Sequence, residues 1–160
     1  MSKITNIILH CSAGEWGCCR AIRDWHMAKG WRDIGYHFVI MNGFPTYEDF
    51  KNNSRFENLD GQIECGRYLN SSLFMDDNEE GSQCLGYNRK SIGVCYVGNA
   101  ATASQEKSIM LLCNELVRKY QLTYDAVLGH CETESGKKQG KTCPNLDMNK
   151  IRNLIRNMNG

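Results

Sequence analysis

The chain has 160 residues, 41% of them hydrophobic and 23% charged, and a formal net charge of +1. That length suits one domain with its own core, and the composition argues against disorder. Near-neutral charge gives no electrostatic case for nucleic acid as the main partner, and no apolar run approaches the ~20 residues of a membrane-crossing helix.

Nine cysteines are present, an odd number. In a secreted chain they would suggest a disulfide framework with one thiol left over. The opening MSKITNIILHCSAGEW, however, has one lysine and a short apolar run ending in histidine. It reads as a first strand and not as an export signal. Synthesis in a reducing cytoplasm is therefore expected, with most cysteines, Cys95 and Cys113 among them, serving as small buried apolar residues.

In chain order, ITNIILH (4–10) is a β-branched run expected to be a buried strand. CCRAIRDWHMAKG follows as a helix, with Ile22, Trp25, His26 and Lys29 at helical spacing and Gly30 as its cap. Further strands are expected at GYHFVIM (35–41), GQIECGR (61–67), SIGVCYVG (91–98) and DAVLGH (125–130). A helix between the last two carries Ile109, Leu112, Cys113, Leu116, Val117 and Tyr120 on one face, with Thr102 and Gln105 as a capping box. The closing helix presents Leu146, Ile151, Leu154, Ile155 and Met158 as its apolar stripe. Strands alternating with helices indicate one α/β domain with a mixed sheet. Two polar segments, 44–58 and 70–83, look inserted and read as solvated surface loops; the second holds the acidic run DDNEE.

The stretch HCETESGKKQGKTCP, from His130 to Pro144, raises two chemistries. A phosphate loop needs G-x-x-x-x-G-K-[ST] opening directly into a helix. Ser135 stands at the first glycine position, and Thr142 is followed by Cys143 and Pro144, so that reading fails. The second chemistry is metal binding. His10 and His130 each read as the last residue of an apolar strand, and side chains at strand ends in an open α/β sheet project into the cleft where ligands bind. Cys143 follows thirteen residues after His130, beyond a glycine-containing loop that could fold back. Two imidazoles and a thiolate suit zinc with one open position. Spacing alone favours an ordinary buried or surface histidine at each position over a ligand, since no C-x-x-C or H-E-x-x-H pattern is present and the candidate ligands are scattered along the chain. By strand alternation His37 faces away if Tyr36 faces the cleft, and Cys11 and Cys131 are disfavoured in the same way. His26, on the face of Trp25, reads as structural.

The segments IILHCSA, IRDWHMAKGWRDIGYHFVI, GQIECGR, GYNRKSIGVCYVGN and GHCETESGKKQGKTCP together resemble one family in order along nearly the whole chain. It is the zinc N-acetylmuramoyl-L-alanine amidases, related to phage amidase-lysozymes of the T-seven type and to peptidoglycan recognition proteins. The resemblance implies a central mixed sheet flanked by helices, with a zinc cleft at one face, in a single amidase domain spanning 1–160. It implies a Zn2+ ion held by His10, His130 and Cys143, with Tyr36 and Lys141 as the catalytic pair. The substrate implied is peptidoglycan or a muropeptide, cut between N-acetylmuramic acid and L-alanine by a cell-wall lytic enzyme such as a phage endolysin, which acts on the wall after release or delivery. Glu132 and Glu134 lie nearby in sequence, but nothing assigns either to the metal.

One departure is that relatives often carry histidine in a G-x-H-x-x-G-Y-N context, where this chain reads GSQCLGYN. Cys84, two before Gly86, is taken to stand at that place, which puts a substrate-contact or proton-handling role there in doubt. The 44–58 segment is a second departure and is expected to reshape one wall of the groove. A recognition module without catalysis is the alternative reading; silent relatives typically lack the ligand cysteine, which is present here. A protein regulator is a third, because a related phage enzyme also restrains its polymerase, but neutral charge and no evident hydrophobic stripe give it no support.

Overall fold

The structure is a computed structural model that describes residues 1–159. It begins with a two-residue strand β1 (Ser2–Lys3), then β2 (Asn6–Cys11), helix α1 (Cys19–Ala28), β3 (Phe38–Asn42) and a short helix α2 (Tyr47–Lys51). β4 (Asp60–Cys65), β5 (Phe74–Met75) and β6 (Ser91–Tyr96) lead into the long helix α3 (Ala103–Lys119). β7 (Val127–Gly129), α4 (Glu134–Lys138) and α5 (Met148–Asn159) complete it.

The main sheet has the order β4-β3-β6-β2-β7, parallel throughout except for the antiparallel edge strand β4. Parallel strands covered on both faces are apolar along their whole length. β2 (NIILHC) and β6 (SIGVCY) fit that rule, being buried at nearly every position. Ile7, Leu9 and Cys11 pack with Ile92, Val94 and Tyr96 under α3 and α5. On the opposite face α1 lays Cys19 and Ile22 against Ile34, Val39 and Val97, with Tyr36 at the margin. His10, alternating with Leu9 and Cys11, therefore belongs to the α1 face. No helix among the described residues is long and apolar enough to cross a membrane.

The expected elements are present, with shifted ends. The strand expected at 35–41 starts at Phe38: Gly35 is drawn off by His26 Nδ1 (2.9 Å to its N–H) and Ser82 N (3.1 Å to its carbonyl), while Tyr36 and His37 still bond Arg67, Gly66 and Gly93 through a bend. The strand at 125–130 is shorter: Tyr124–Ala126 and His130–Glu132 are 3-10 turns on either side of β7. On α5 the buried seam is Met148, Ile151 and Ile155, whereas Leu154 and Met158 are exposed. Each of those two lies three residues beyond a seam residue, about 60° around the helix, outside the narrow contact with α3 and β7. The capping box of Thr102 and Gln105 forms as expected, as do the buried residues of α3 from Ile109 to Tyr120. All nine cysteines are free thiols, most of them buried, with Cys65 exposed.

The expectation for 70–83 is corrected. This segment is not a solvated loop: β5 pairs with β1, Met75 is buried, and Glu79 has no exposed surface. The Glu79 carboxylate accepts the backbone N–H groups of Asn70 and Asp76, and its carbonyl takes His37 Nε2 at 2.6 Å. Backbone amides thus replace the water that a buried carboxylate would lose. Arg67, also buried, donates to the carbonyls of Ile34, Asp33 and Glu80 and ties the same segment to the sheet. The 44–58 segment does lie at the surface, carrying α2 behind a capping box of Thr46 and Asp49.

Burial holds the His37 imidazole down at about 4; the Glu79 carbonyl offsets this in part and Arg67 adds to it. Between the ordinary value of 6.5 and about 4, the unfolded chain binds a proton that the folded chain does not. Stability therefore falls as pH is lowered through that window, on the order of 3 kcal/mol from this group alone. Urea midpoints of wild type and His37→Gln, compared at pH values inside and above the window, should show a shallower loss in the variant. Parallel curves would contradict the assignment.

Candidate metal centre

β2 and β7 run side by side in parallel, with Leu9 opposite Gly129. The next residue on each chain is a histidine, and the rings of His10 and His130 stand 4.7 Å apart. His10 is the penultimate residue of its strand and His130 the first beyond its strand, so neither is the terminal residue expected; the register brings them together all the same.

Cys143 arrives from the returning loop. Its carbonyl takes Cys131 N (2.8 Å), its sulfur takes Cys11 N (3.2 Å), and the next carbonyl, of Pro144, takes the Tyr96 hydroxyl (2.6 Å). The sulfur then lies 3.8 Å from His10 Nδ1. One donor atom from each of His10, His130 and Cys143 lies within 4.8 Å of the others. Donors bonded to zinc at its ~2.0–2.3 Å stand roughly 3.3–3.8 Å apart, so this set fits zinc with slight closure.

The chain between His130 and Cys143 forms α4, capped by Thr133, whose hydroxyl accepts Gly136 N (3.1 Å) and donates to the His130 carbonyl (2.7 Å). Glu132 turns away from the cleft. Its carboxylate makes a two-pronged pair with Arg152 (2.8 and 2.9 Å) and takes Gly129 N (2.8 Å), which fastens α5 to the end of β7. Glu134 is exposed.

A cleft of about 360 Å³ opens over the centre, lined by His10, Tyr36, Gln83, His130, Lys141 and Cys143 among others. The Tyr36 ring is 5.2 Å from that of His10. A hollow of about 410 Å³ near the ends of α3 and α5, lined by Val117, Leu122 and Tyr124, contains none of these groups. Asn145 also borders the cleft and donates to the Asn99 carbonyl (2.9 Å); Asn99 closes the segment GYNRKSIGVCYVGN, whereas Asn145 is marked by no sequence pattern.

Burial favours the neutral form of both imidazoles, the form in which histidine can bind a metal. Burial holds His10 down at about 3, against the raising effect of its Gln83 hydrogen bond, and His130 lowers it further. Burial and the Lys141 ammonium lower His130. Hydrogen bonding with Cys11 and burial push the Cys143 thiol up, so a bound dication is what would keep it a thiolate. The Tyr36 phenol is raised well above its ordinary value by burial and then by the nearby Cys95 and Cys143.

Other residues fall where alternation and packing put them. His26 accepts Gly35 N at Nδ1 and His37 faces Glu79; Cys11 packs with the core under α3 but also borders the cleft, its thiol hydrogen-bonded with that of Cys143, and stands outside the three-donor group. Cys84 requires a correction. It is buried, with its sulfur toward the hydroxyls of Thr133 (3.5 Å) and Ser135 (3.6 Å), and does not line the cleft. Counted from Gly81, the G-x-H-x-x-G-Y-N pattern puts Gln83 in the histidine place, and Gln83 is the residue beside His10 (Nε2 to Oε1, 2.5 Å).

A mixed sheet between helical layers, with two imidazoles and a thiol converging at one face, defines an α/β protein with a side-chain group that could hold a metal ion. The family model for N-acetylmuramoyl-L-alanine amidase matches residues 1–146. The endolysin of Escherichia phage T7 is 34% identical over 155 residues, covering 89% of this chain and 81% of that protein. Among solved structures, the N-acetylmuramoyl-L-alanine amidase LysC from Clostridium intestinale superposes with a TM-score of 0.72 at 23% identity, over 97% of this chain and 87% of that one. Bumblebee PGRP-SA gives 0.59 at 26% identity, over 87% and 81%. The chain belongs to the N-acetylmuramoyl-L-alanine amidase family, and its activity is hydrolysis of the amide between N-acetylmuramic acid and L-alanine.

Gly136 allows the close return of α4 onto His130, since a Cβ there would overlap the His130 carbonyl oxygen. Gly136→Ala should destabilise the fold by about 1–3 kcal/mol and lower the melting temperature by several degrees. Gly14→Ala, whose Cβ would meet only the Trp16 carbonyl at an ordinary 3.7 Å, serves as the control. Thermal melts that coincide for the two variants would contradict this packing.

Proposed function

We propose that the amidase works through a zinc ion held by His10, His130 and Cys143, with Tyr36 and Lys141 as the catalytic pair. The observation that carries this is the convergence of the three donors within 4.8 Å in a cleft that Tyr36 and Lys141 also line. Zinc bound there would supply Lewis-acid polarisation of the amide carbonyl and an activated water. The remaining work belongs to the side chains. Tyr36, kept protonated by burial, is a hydrogen-bond donor at neutral pH, suited to the negative charge that develops on the amide oxygen. Lys141, two residues before Cys143 on an exposed loop, brings an ammonium to the same mouth. Glu132 is committed to Arg152, which argues against it as the base.

The phage relatives carry the name endolysin, and we read this chain in the same role: a single catalytic domain that reaches peptidoglycan after release from the cell that made it. The substrate is peptidoglycan or its muropeptides.

Digestion of purified peptidoglycan, with and without a zinc chelator, tests the reading by counting new L-alanine amines against new reducing ends. Amines without reducing ends, lost on chelation and restored by zinc, are expected. Cys143→Ser should lose both zinc and turnover. Lys141→Ala should keep zinc and lose about 10²–10³-fold in rate, the scale of one oxyanion donor. Amine release that ignores the chelator would remove zinc from the account; retention of the wall without amine release would make the chain a recognition module.

A further inference from the structure

His10 enters the cleft with two ring nitrogens, and only one of them faces the other donors. Nδ1 lies 3.8 Å from Cys143 Sγ, while Nε2 points away, 2.5 Å from Gln83 Oε1. Which nitrogen carries the proton follows from what stands behind Gln83. The Ser91 hydroxyl lies 2.8 Å from the Tyr87 carbonyl, which can only accept, so the hydroxyl proton is committed there. Ser91 Oγ must then accept from Gln83, 2.8 Å away, and its donor is the amide nitrogen. The amide oxygen is left facing His10, and that oxygen requires a proton on Nε2. Nδ1 keeps its lone pair, aimed into the cleft. The opposite amide orientation would leave the hydroxyl oxygen, the Tyr87 carbonyl and the amide oxygen sharing a single proton.

We propose that Gln83 is a positioning residue that holds His10 in the Nε2–H tautomer, with Nδ1 free for the metal, and that the stretch GSQCLGYNRKSIGV is built to hold this amide. The inference rests on the zinc reading above. Three features of the stretch serve it. Asn88 Oδ1 accepts the backbone N–H of both Gln83 and Cys84 at 2.9 Å, which fixes the turn from which the side chain departs. Ser91, with no exposed surface, anchors the far end of the amide. Gly93 interrupts the apolar run of β6 beneath it, and a Cβ there would stand 2.7 Å from Gln83 Cγ and 3.0 Å from Cδ. The glycine is the space that the glutamine side chain fills. A metal-bound histidine whose other N–H loses its acceptor typically costs 10–100-fold in metal affinity.

The test measures zinc affinity by competition with a chromophoric chelator for wild type, Gln83→Ala, Gln83→Glu and Gly93→Ala. It is paired with NMR of the imidazole nitrogens in the zinc-free proteins. Gln83→Ala should bind zinc about 10–100-fold more weakly, and its His10 signals should shift from the Nε2–H pattern toward a mixture of tautomers. Gly93→Ala, which displaces the glutamine without removing it, should weaken binding in the same direction. Gln83→Glu retains an acceptor opposite Nε2 and should recover most of the affinity, which a general packing defect would not allow. Equal zinc affinity in wild type and Gln83→Ala, with an unchanged His10 pattern, would overturn the proposal while leaving the zinc centre in place. A wild type that takes up no zinc would overturn the zinc reading, and the proposal with it.

Discussion

Leu9 faces Gly129 across the β2–β7 ladder, and everything in the cleft depends on that register. A strand's side chains alternate between faces, so a slip of one residue would send His10 into the core under α3 and turn Leu9 into the cleft. The slip is resisted by burial on both faces. Ile7, Ile8 and Leu9 are essentially inaccessible to solvent, and burial of each contributes about 1.5–3 kcal/mol. A polar residue in the middle of such a strand is costly unless it is paired. His10 meets that condition through Gln83 on one ring nitrogen and the converging donors on the other.

Around this pair, two segments that look like surface chain act as clamps. The acidic run at 76–80 supplies Glu79, whose carboxylate is consumed by backbone amides and whose carbonyl receives His37. That arrangement brings Gly81 and Gln83 up against the sheet. On the other side Glu132, beside a proposed ligand, is consumed by Arg152 and the Gly129 amide and so holds the end of β7. In both cases a carboxylate in a suggestive place shapes the backbone and does not reach the cleft. The geometry of the centre is thus a product of buried polar contacts as much as of apolar packing.

Much of this was legible in the residues themselves. Continuous apolar runs marked β2 and β6 because both faces are covered, and the period of α3 marked its buried side. The convergence of His10 and His130 followed from two strand ends being neighbours, although each strand ended one residue away from the expected place. Strand ends depend on competing partners: Gly35 left the ladder because His26 and Ser82 claimed its amide and carbonyl, which no local pattern records. The stripe of α5 was read too broadly because its apolar residues outnumber the positions its neighbours can cover. Segment 70–83 was misread because a buried carboxylate looks, in sequence, like any exposed one. Gln83 was within reach by counting from Gly81, and Cys84, the neighbouring residue, packs against Thr133 and Ser135 instead.

In the proposed centre one thiol and two imidazoles hold a single zinc ion, and Cys11, although it borders the cleft beside Cys143, stands outside the three-donor group. X-ray absorption at the zinc edge of the metal-loaded protein tests this arrangement directly. The expected shell is one sulfur at ~2.3 Å and two nitrogens at ~2.0–2.1 Å, with the remaining position filled by a light atom. A shell with two sulfurs, or with none, would contradict it.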